Sequence, residues 1–474
     1  METSQQQGSV SPASIEQLAE ILGAEHIDAD AGDLRHHSRD LSPLAQLDER
    51  EGTAGPGPEY VVRPRTTEQV AEILAWADRT RTPIVPFGGG SGVLGGIAPD
   101  GGVVVELRAM NQIVDLDEKS LLVRCQAGVS GGDLNQALES WGYTMGHEPQ
   151  SVDISTVGGW IATRACGQLS ARYGGVEKMV ASLEAVLPGG RIARSKPVPR
   201  HAAGPDVASL MIGSEGTLGI VTEAVLRISP RVTERVDRCV RFQDMADGVG
   251  ACRRLAQSDL APTLVRLYDA EDAALFLRNH PDEPQGPLLL LSFDGRDAQE
   301  RASEAISASD GVPGNDGLVT HWWHHRNDAV GEFTKVMRGE GALGPHGLVD
   351  TMEVSGTWTH LRSLYHSMKD ALAREADFVG CHIGHIYPDG ACLYFTVGSA
   401  FDDDDAARAG HARWWNAGMS ACVYAGGSIS HHHGIGRLKA QWLPVELGEW
   451  WEVLRSIKRT LDPHGIMNPG ALGL

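Results

Sequence analysis

Cysteine is scarce and scattered. Seven occur in 474 residues, at positions 125, 166, 239, 252, 381, 392 and 422, with no CxxC spacing. An odd, dispersed set argues against a disulfide framework and fits a reducing compartment. Basic residues are in deficit, 41 Lys and Arg against 62 Asp and Glu, for a net charge of -21. That balance speaks against a general binder of nucleic acid or anionic membrane, since those need clustered cations. Long apolar runs are also missing. With no stretch of about 18 apolar residues and no basic-then-apolar leader, neither membrane spanning nor secretion is encoded, and a cytoplasmic protein is expected. Glycine is plentiful: 57 glycines, 24 prolines and 42% hydrophobic residues describe a turn-rich globular α/β or α+β chain, long enough for two or three cores.

Apolar periodicity orders the chain. The first dozen residues are polar and expected to be mobile; a capped helix follows over Ile15, Leu18, Ile21 and Leu22. Residues 41 to 58 read as loop. "TTEQVAEILAWADRTRTP" is an amphipathic helix with Val70, Ile73, Leu74 and Ala77 on one stripe and Thr66 or Thr67 as cap. Strands are expected at 83 to 87, 103 to 107 and 121 to 128, then a helix near 130 to 141 and two strands joined by a Gly-Gly turn within 181 to 194. The texture changes near 231, where longer polar helices alternate with strands such as 287 to 293 and 391 to 397. The run Asp402 to Asp405 reads as a solvated loop. The chain thus divides into 1–54, 55–230, 231–425 and a closing segment 426–474, without repeats.

Three glycine-rich stretches carry possible chemistry. "VPFGGGSGVLGG" (85 to 96) follows a strand, and its successive amides, with Ser91 as an extra donor, can form a nest around a diphosphate. Alone it is equally a turn, since it matches neither GxGxxG nor the Walker loop. In "GHEPQSVDISTVGGWIATRACG" (146 to 167), Ser155, Thr156, Gly158 and Gly159 lead into a helix through Thr163. Its N-terminus could hold an anion, or could be a capped helix packed on a strand. "GSEGTLGIVTEA" (213 to 224) is a third turn before a strand.

The order of these stretches, with "LDPHGIMNPG" (461 to 470), resembles the FAD-binding oxidoreductases of the vanillyl-alcohol oxidase and p-cresol methylhydroxylase (PCMH) type from about residue 55 onward. The resemblance implies an α+β protein: a two-subdomain FAD-binding domain, completed by the C-terminal segment, with an α+β cap domain between. It implies FAD held by Pro86, Gly88, Gly89, Gly90, Ser91, Gly92, His147, Pro149, Ser151, Ser155, Thr156, Gly158, Gly159, Thr163, Glu215, Gly216, Gly219 and Ile220. The loop from Phe87 to Gly96 lacks the histidine that often tethers flavin covalently, so non-covalent FAD is expected. Members that oxidise D-2-hydroxy acids carry GHxGDGNxH and Glu-His-Gly metal-binding segments. Here "GCHIGHIYPDGACLYF" (380 to 395) and "SISHHHGIGRLKAQWL" (428 to 443) put Tyr394 and His432 at metal-ligand positions, so no metal is expected.

Those phrases, with "STVGGWIATRA" and "GPDVASLMIGSEGTLGIVTEA", resemble alkyldihydroxyacetonephosphate synthase. Carried over by position, the resemblance implies an active site of Tyr394, His431, His432, His433 and Arg266 in "LVRLYD", with Arg338 aligned across a gap. The implied reaction converts acyl-dihydroxyacetone phosphate and a long-chain alcohol into the ether and a fatty acid, through a flavin N5 adduct and without net redox. It needs a base for a C1 proton, an electron sink and cations for a phosphate. Tyr394, acidified by nearby cations, is the expected acid-base group, and the arginines with one or more histidines the expected phosphate ligands. The bland readings are a packed core tyrosine, an arginine paired with Asp269, and at least one histidine spent on packing. The sequence departs from the pattern at Gln150, at Gly92 and at His382, which stands where arginine is usual. A flavin dehydrogenase or oxidase of a 2-hydroxy acid or related small molecule is therefore the alternative, and a non-enzymatic flavoprotein the third reading. The expected partner is a phosphorylated lipid or small organic acid and not nucleic acid; peripheral membrane contact and a homodimer stay open. Tryptophans near 441 to 451 are expected in a packed core.

Overall fold

The computed structural model describes residues 10–278, 280 and 286–474; of the first dozen residues expected to be mobile, 1–9 lie outside that set, whereas the Val10 N–H donates to Glu59 at 2.9 Å and Ser11 caps the helix Pro12–Leu22. The protein is α+β, built on three main sheets. In the first, Tyr60–Val62 and Ile84–Phe87 flank Val103–Glu106 in parallel, and Ile27–Asp28 adds an antiparallel edge. The crossover helix Thr67–Thr80 starts where Thr66 Oγ1 accepts the Gln69 N–H and buries Val70, Ile73, Leu74, Trp76 and Ala77, the expected stripe plus a tryptophan. Removing such a cap costs about 1 kcal/mol. The second sheet is antiparallel and contains the hairpin Val180–Leu187 and Arg191–Arg194, turned at Pro188–Gly190 as the Gly-Gly pair predicts.

The third sheet has seven strands, all antiparallel, with Leu264–Tyr268, Phe378–Tyr387 and Gly390–Ser399 adjacent near its centre. Central strands buried on both faces read as continuous apolar runs, which is why Leu288, Leu289, Leu290 and Leu291 are all fully buried. Helices Met245–Ala256, Ala298–Ser309, Trp358–Leu372 and Asp404–Tyr424 accompany it. The C-terminal segment returns to the first sheet, where the Asn468 N–H donates to Ile84 O at 2.8 Å.

Three expectations are corrected. Residues 41 to 58 are not all loop: Pro43–Glu51 is a helix ended by left-handed Gly52. A proline at its start and a glycine after its end were the signals present. The run Asp402 to Asp405 is not a solvated loop either. Asp403 caps the helix Asp404–Tyr424 by accepting the Ala406 N–H, and Asp404 pairs with Arg50 at 2.5 Å and with His346 at 2.7 Å. Carboxylates in a first turn complement the helix dipole, and here they also fasten the N-terminal helix to the third sheet's coverings. Finally, Trp442 and Trp451 pack on the core, whereas Trp450 is 71% exposed, near the exposed Val445 and Val453. Among the described residues, no helix is long and apolar enough to cross a membrane.

Candidate active site

A cavity of about 980 Å³ runs from the glycine loop to the third sheet. All the residues expected to hold FAD line it except His147, and all those expected in catalysis line it except His431. His147 is fully buried with its ring edge-on to Trp160 at 4.5 Å, neither nitrogen is bonded, and burial pushes it down to about 3. It is a neutral core histidine. Position beside a Glu-Pro pair carried no information about which side of Trp160 the ring would take.

The glycine loop fits a diphosphate. A Cβ at Gly89 would fall 1.9 Å from Ile154 O, so only glycine lets these two loops meet. Among the described residues, no backbone acceptor is paired with the N–H groups of Gly88, Gly89, Gly90 or Ser91, so these donors on the cavity wall are available to an anion. The helix Val157–Thr163 does not offer its N-terminus in the same way. The N–H groups of Val157, Gly158 and Gly159 donate to Val129 O, Ala127 O and Thr156 Oγ1. Ser155 Oγ accepts from Trp160 Nε1, and Thr163 Oγ1 donates to Gly159 O. The second glycine stretch is therefore the capped helix packed on its neighbours, and it walls the cavity. Asp40 reinforces the end of the loop by accepting the Gly96 N–H at 2.9 Å, its carboxyl pushed up to about 6 by burial.

The histidine triplet is held from behind. Glu353, fully buried on the strand Leu348–Thr357, accepts the N–H groups of His431 and His433 at 2.7 Å each, Ser430 Oγ and Lys439 Nζ at 3.0 Å. Burial works against its charge, yet Lys439, His433 and these donors hold its carboxyl below the ordinary range. Glu215, pushed up to about 7 by burial, takes the N–H groups of Ile435 and Gly436 and so fastens the same segment to the glycine-loop side. Gripped this way, His432 and His433 face the cavity. His431 turns aside, with Nε2 2.8 Å from Tyr387 OH and Nδ1 2.9 Å from His432 Nδ1.

Charge in the cavity comes from arginine. Burial pushes His431 down to about 4, His432 well below the usual histidine value and His433 down as well. Burial thus favours the neutral form of all three rings. Arg266 is 6% exposed, its Nε is unbonded, and it has no carboxylate partner among the described residues. Asp269, the neighbour expected to pair with it, is occupied by Lys369, Tyr365 OH and the cap of Ala270–Phe276. Residue 384 must be glycine for the guanidinium to fit, since its Cβ would lie 1.9 Å from Arg266 Nη1. Arg338 lines the cavity after the helix Asp328–Met337, and Arg326 joins them over Trp323 while paired with Glu148.

Tyr394 stacks between His382, at 4.7 Å, and His432, at 5.9 Å. Its phenol is not acidified: burial pushes it up, and Glu353, Asp350 and Asp272 add to the shift. Burial thus favours the protonated phenol, which is not a base near neutral pH. Sequence reasoning left out Arg326, His382 and His385. His385 Nδ1 is 2.5 Å from Ser170 Oγ and 3.5 Å from Cys166 Sγ. Cys166, His385 and His431 come close enough to suggest metal ligands. The two imidazoles, however, stack 4.8 Å apart at 23°, which directs their in-plane lone pairs along separate planes.

A nest of free amides, a cavity continuing past it and a cap of buried arginine and aromatic groups define a flavin-binding protein. Matching to family models agrees: residues 58–196 match "FAD binding domain" and residues 234–472 match "FAD linked oxidases, C-terminal domain". The chain belongs to the FAD-linked oxidase family, and FAD is its cofactor. It is 32% identical to an uncharacterised FAD-linked oxidoreductase of Escherichia coli K12, over 97% of this chain and 98% of the relative. It is 29% identical to the alkyldihydroxyacetonephosphate synthase of Caenorhabditis elegans, over 91% and 78%. A solved alkyldihydroxyacetonephosphate synthase superposes with a TM-score of 0.80 at 24% identity, covering 99% of this chain and 86% of the other, a likeness of fold.

Proposed function

We propose that this FAD enzyme exchanges the acyl group of an acyl ester of dihydroxyacetone phosphate for a long-chain alcohol, giving the alkyl ether and a fatty acid. One observation carries the reading. Arg266 is a buried guanidinium without a carboxylate partner among the described residues, beside Tyr394 and the two cavity-facing histidines. A buried cation left unpaired is costly, and an anionic substrate head supplies the partner. Arg326 and Arg338 add donors suited to phosphate. Phe333 and Met337, facing the same cavity, offer an apolar wall to an alkyl chain. Bound FAD supplies the electron sink. The protein's own groups bind the anion, exclude water and move the C1 proton, with Tyr394 as hydrogen-bond donor.

The test is to supply the FAD-loaded protein with palmitoyl-dihydroxyacetone phosphate and labelled hexadecanol. Labelled ether and free palmitate are expected, and the absence of both refutes the exchange. The full-length relationship to an FAD-linked oxidoreductase supports a second reading, oxidation of a 2-hydroxy acid, whose carboxylate would meet the same arginine. Anaerobic bleaching of the flavin by 2-hydroxy acids, with no ether formed, would establish it instead.

A further inference from the structure

His382, on the strand Phe378–Tyr387, lines the cavity with its ring stacked on Tyr394. Its Nδ1 is 2.6 Å from Oδ2 of Asp272, whose side chain is fully buried. Asp272 stands in the first turn of Ala270–Phe276, its N–H donated to Asp269 Oδ1 at 3.0 Å. The carboxylate has been given room: a Cβ at Gly380 would fall 2.4 Å from Asp272 Oδ1. Burial pushes the Asp272 carboxyl up, and the contact with His382 opposes that shift; the ionised carboxylate only accepts, so beside it Nδ1 carries the hydrogen and Nε2, at the far edge of the ring, keeps its lone pair. Nε2 is absent from the buried unbonded atoms and makes no bond among the described residues, which leaves it open to the cavity. The other titratable or charged groups around the ring are Tyr268 at 5.2 Å, Tyr394, His385 and Arg266 beside Gly384. Asp272 is the one carboxylate among the described residues that touches it.

We propose that His382, positioned by Asp272, is the general base that removes a proton from the substrate carbon next to a carbonyl. The C–H bond breaks, its electron pair moves into the carbonyl as an enolate, and the proton goes to His382 Nε2. Arg266 stands ready for the negative oxygen. The inference rests on the substrate reading above, and it takes the role of base from Tyr394, whose phenol stays protonated.

The experiment incubates the FAD-loaded protein with palmitoyl-dihydroxyacetone phosphate in heavy water and follows deuterium at C1 by NMR. His382→Gln and Asp272→Asn are expected to keep the visible flavin absorbance and slow exchange by about 10²- to 10⁴-fold. His382→Ala is expected to recover part of the rate with added imidazole, which a purely structural role would not allow. Exchange in His382→Gln within about twofold of the wild type, against that 10²-fold minimum, overturns the proposal. If the wild type exchanges no deuterium, the substrate reading fails, and nitrogen-15 NMR then judges the pair, with His382 assigned by its loss in His382→Gln. An Nδ1–H tautomer that switches in Asp272→Asn upholds the positioning of His382 by Asp272; an Nε2–H tautomer in the wild type overturns it.

Discussion

Replacing Glu353 by glutamine tests how the triplet is held. The carboxylate is fully buried and accepts from two backbone N–H groups, a serine hydroxyl and the ammonium of Lys439, itself 0% exposed. Glutamine keeps the shape but offers one accepting oxygen and turns an N–H₂ group toward donors. It also strands a buried ammonium. Breaking a buried pair by removing one partner costs about 3–5 kcal/mol, and that loss is the expectation for Glu353→Gln in urea unfolding followed by tryptophan fluorescence. Adding Lys439→Met should recover part of it, because the unpaired charge is then gone. The pH dependence has a definite sign. Glu353 is held below its ordinary range, so its contribution is complete above an unfolded carboxyl value of about 4.3 and is lost as pH falls through the lower folded value. The gap between wild type and Glu353→Gln should therefore be flat from neutral pH to about pH 5 and close only in stronger acid. A Glu353→Gln protein within about 0.5 kcal/mol of wild type, the size of a plain surface change, would refute this account of how the histidines are aimed.

Arg266→Met should leave stability unchanged or slightly higher, since no carboxylate is deserted, while weakening substrate affinity about 10- to 150-fold, the worth of a charged hydrogen bond; an unchanged KM would contradict its role. Gly89→Ala should yield folded protein without flavin absorbance, because the added methyl meets Ile154 O. His432→Phe should reduce turnover far more than His431→Phe, since of these two His432 faces the cavity and His431 does not; equal losses would say otherwise. All seven cysteines are buried, and burial pushes each thiol up. A thiol reagent should therefore find almost none until denaturant is added.

Local chemistry was legible in the sequence, and long-range pairing was not. The helix Thr67–Thr80 could be read because its cap and stripe lie within one window, and the glycine loop because successive amides need successive small residues. His147 misled because burial behind Trp160 leaves no mark in the residues beside it. Tyr394 misled in a different way: arginines near it suggested an acidic phenol, whereas burial pushes the phenol up, a hydrogen bond with Thr351 opposes this, and the carboxylates of Glu353, Asp350 and Asp272 add to it. The triplet is the clearest case. Three consecutive side chains must diverge, and which of them face the cavity is decided by Glu353, 78 residues before His431 in the chain, and by Glu215, 220 residues before Ile435. Two carboxylates, one on the strand Leu348–Thr357 and one in the turn before Ile220–Arg227, grip the backbone on either side of Gly434. Aim is thus set by what holds the main chain, so a substitution at either carboxylate should disturb the histidines more than exchange of one histidine for another polar residue.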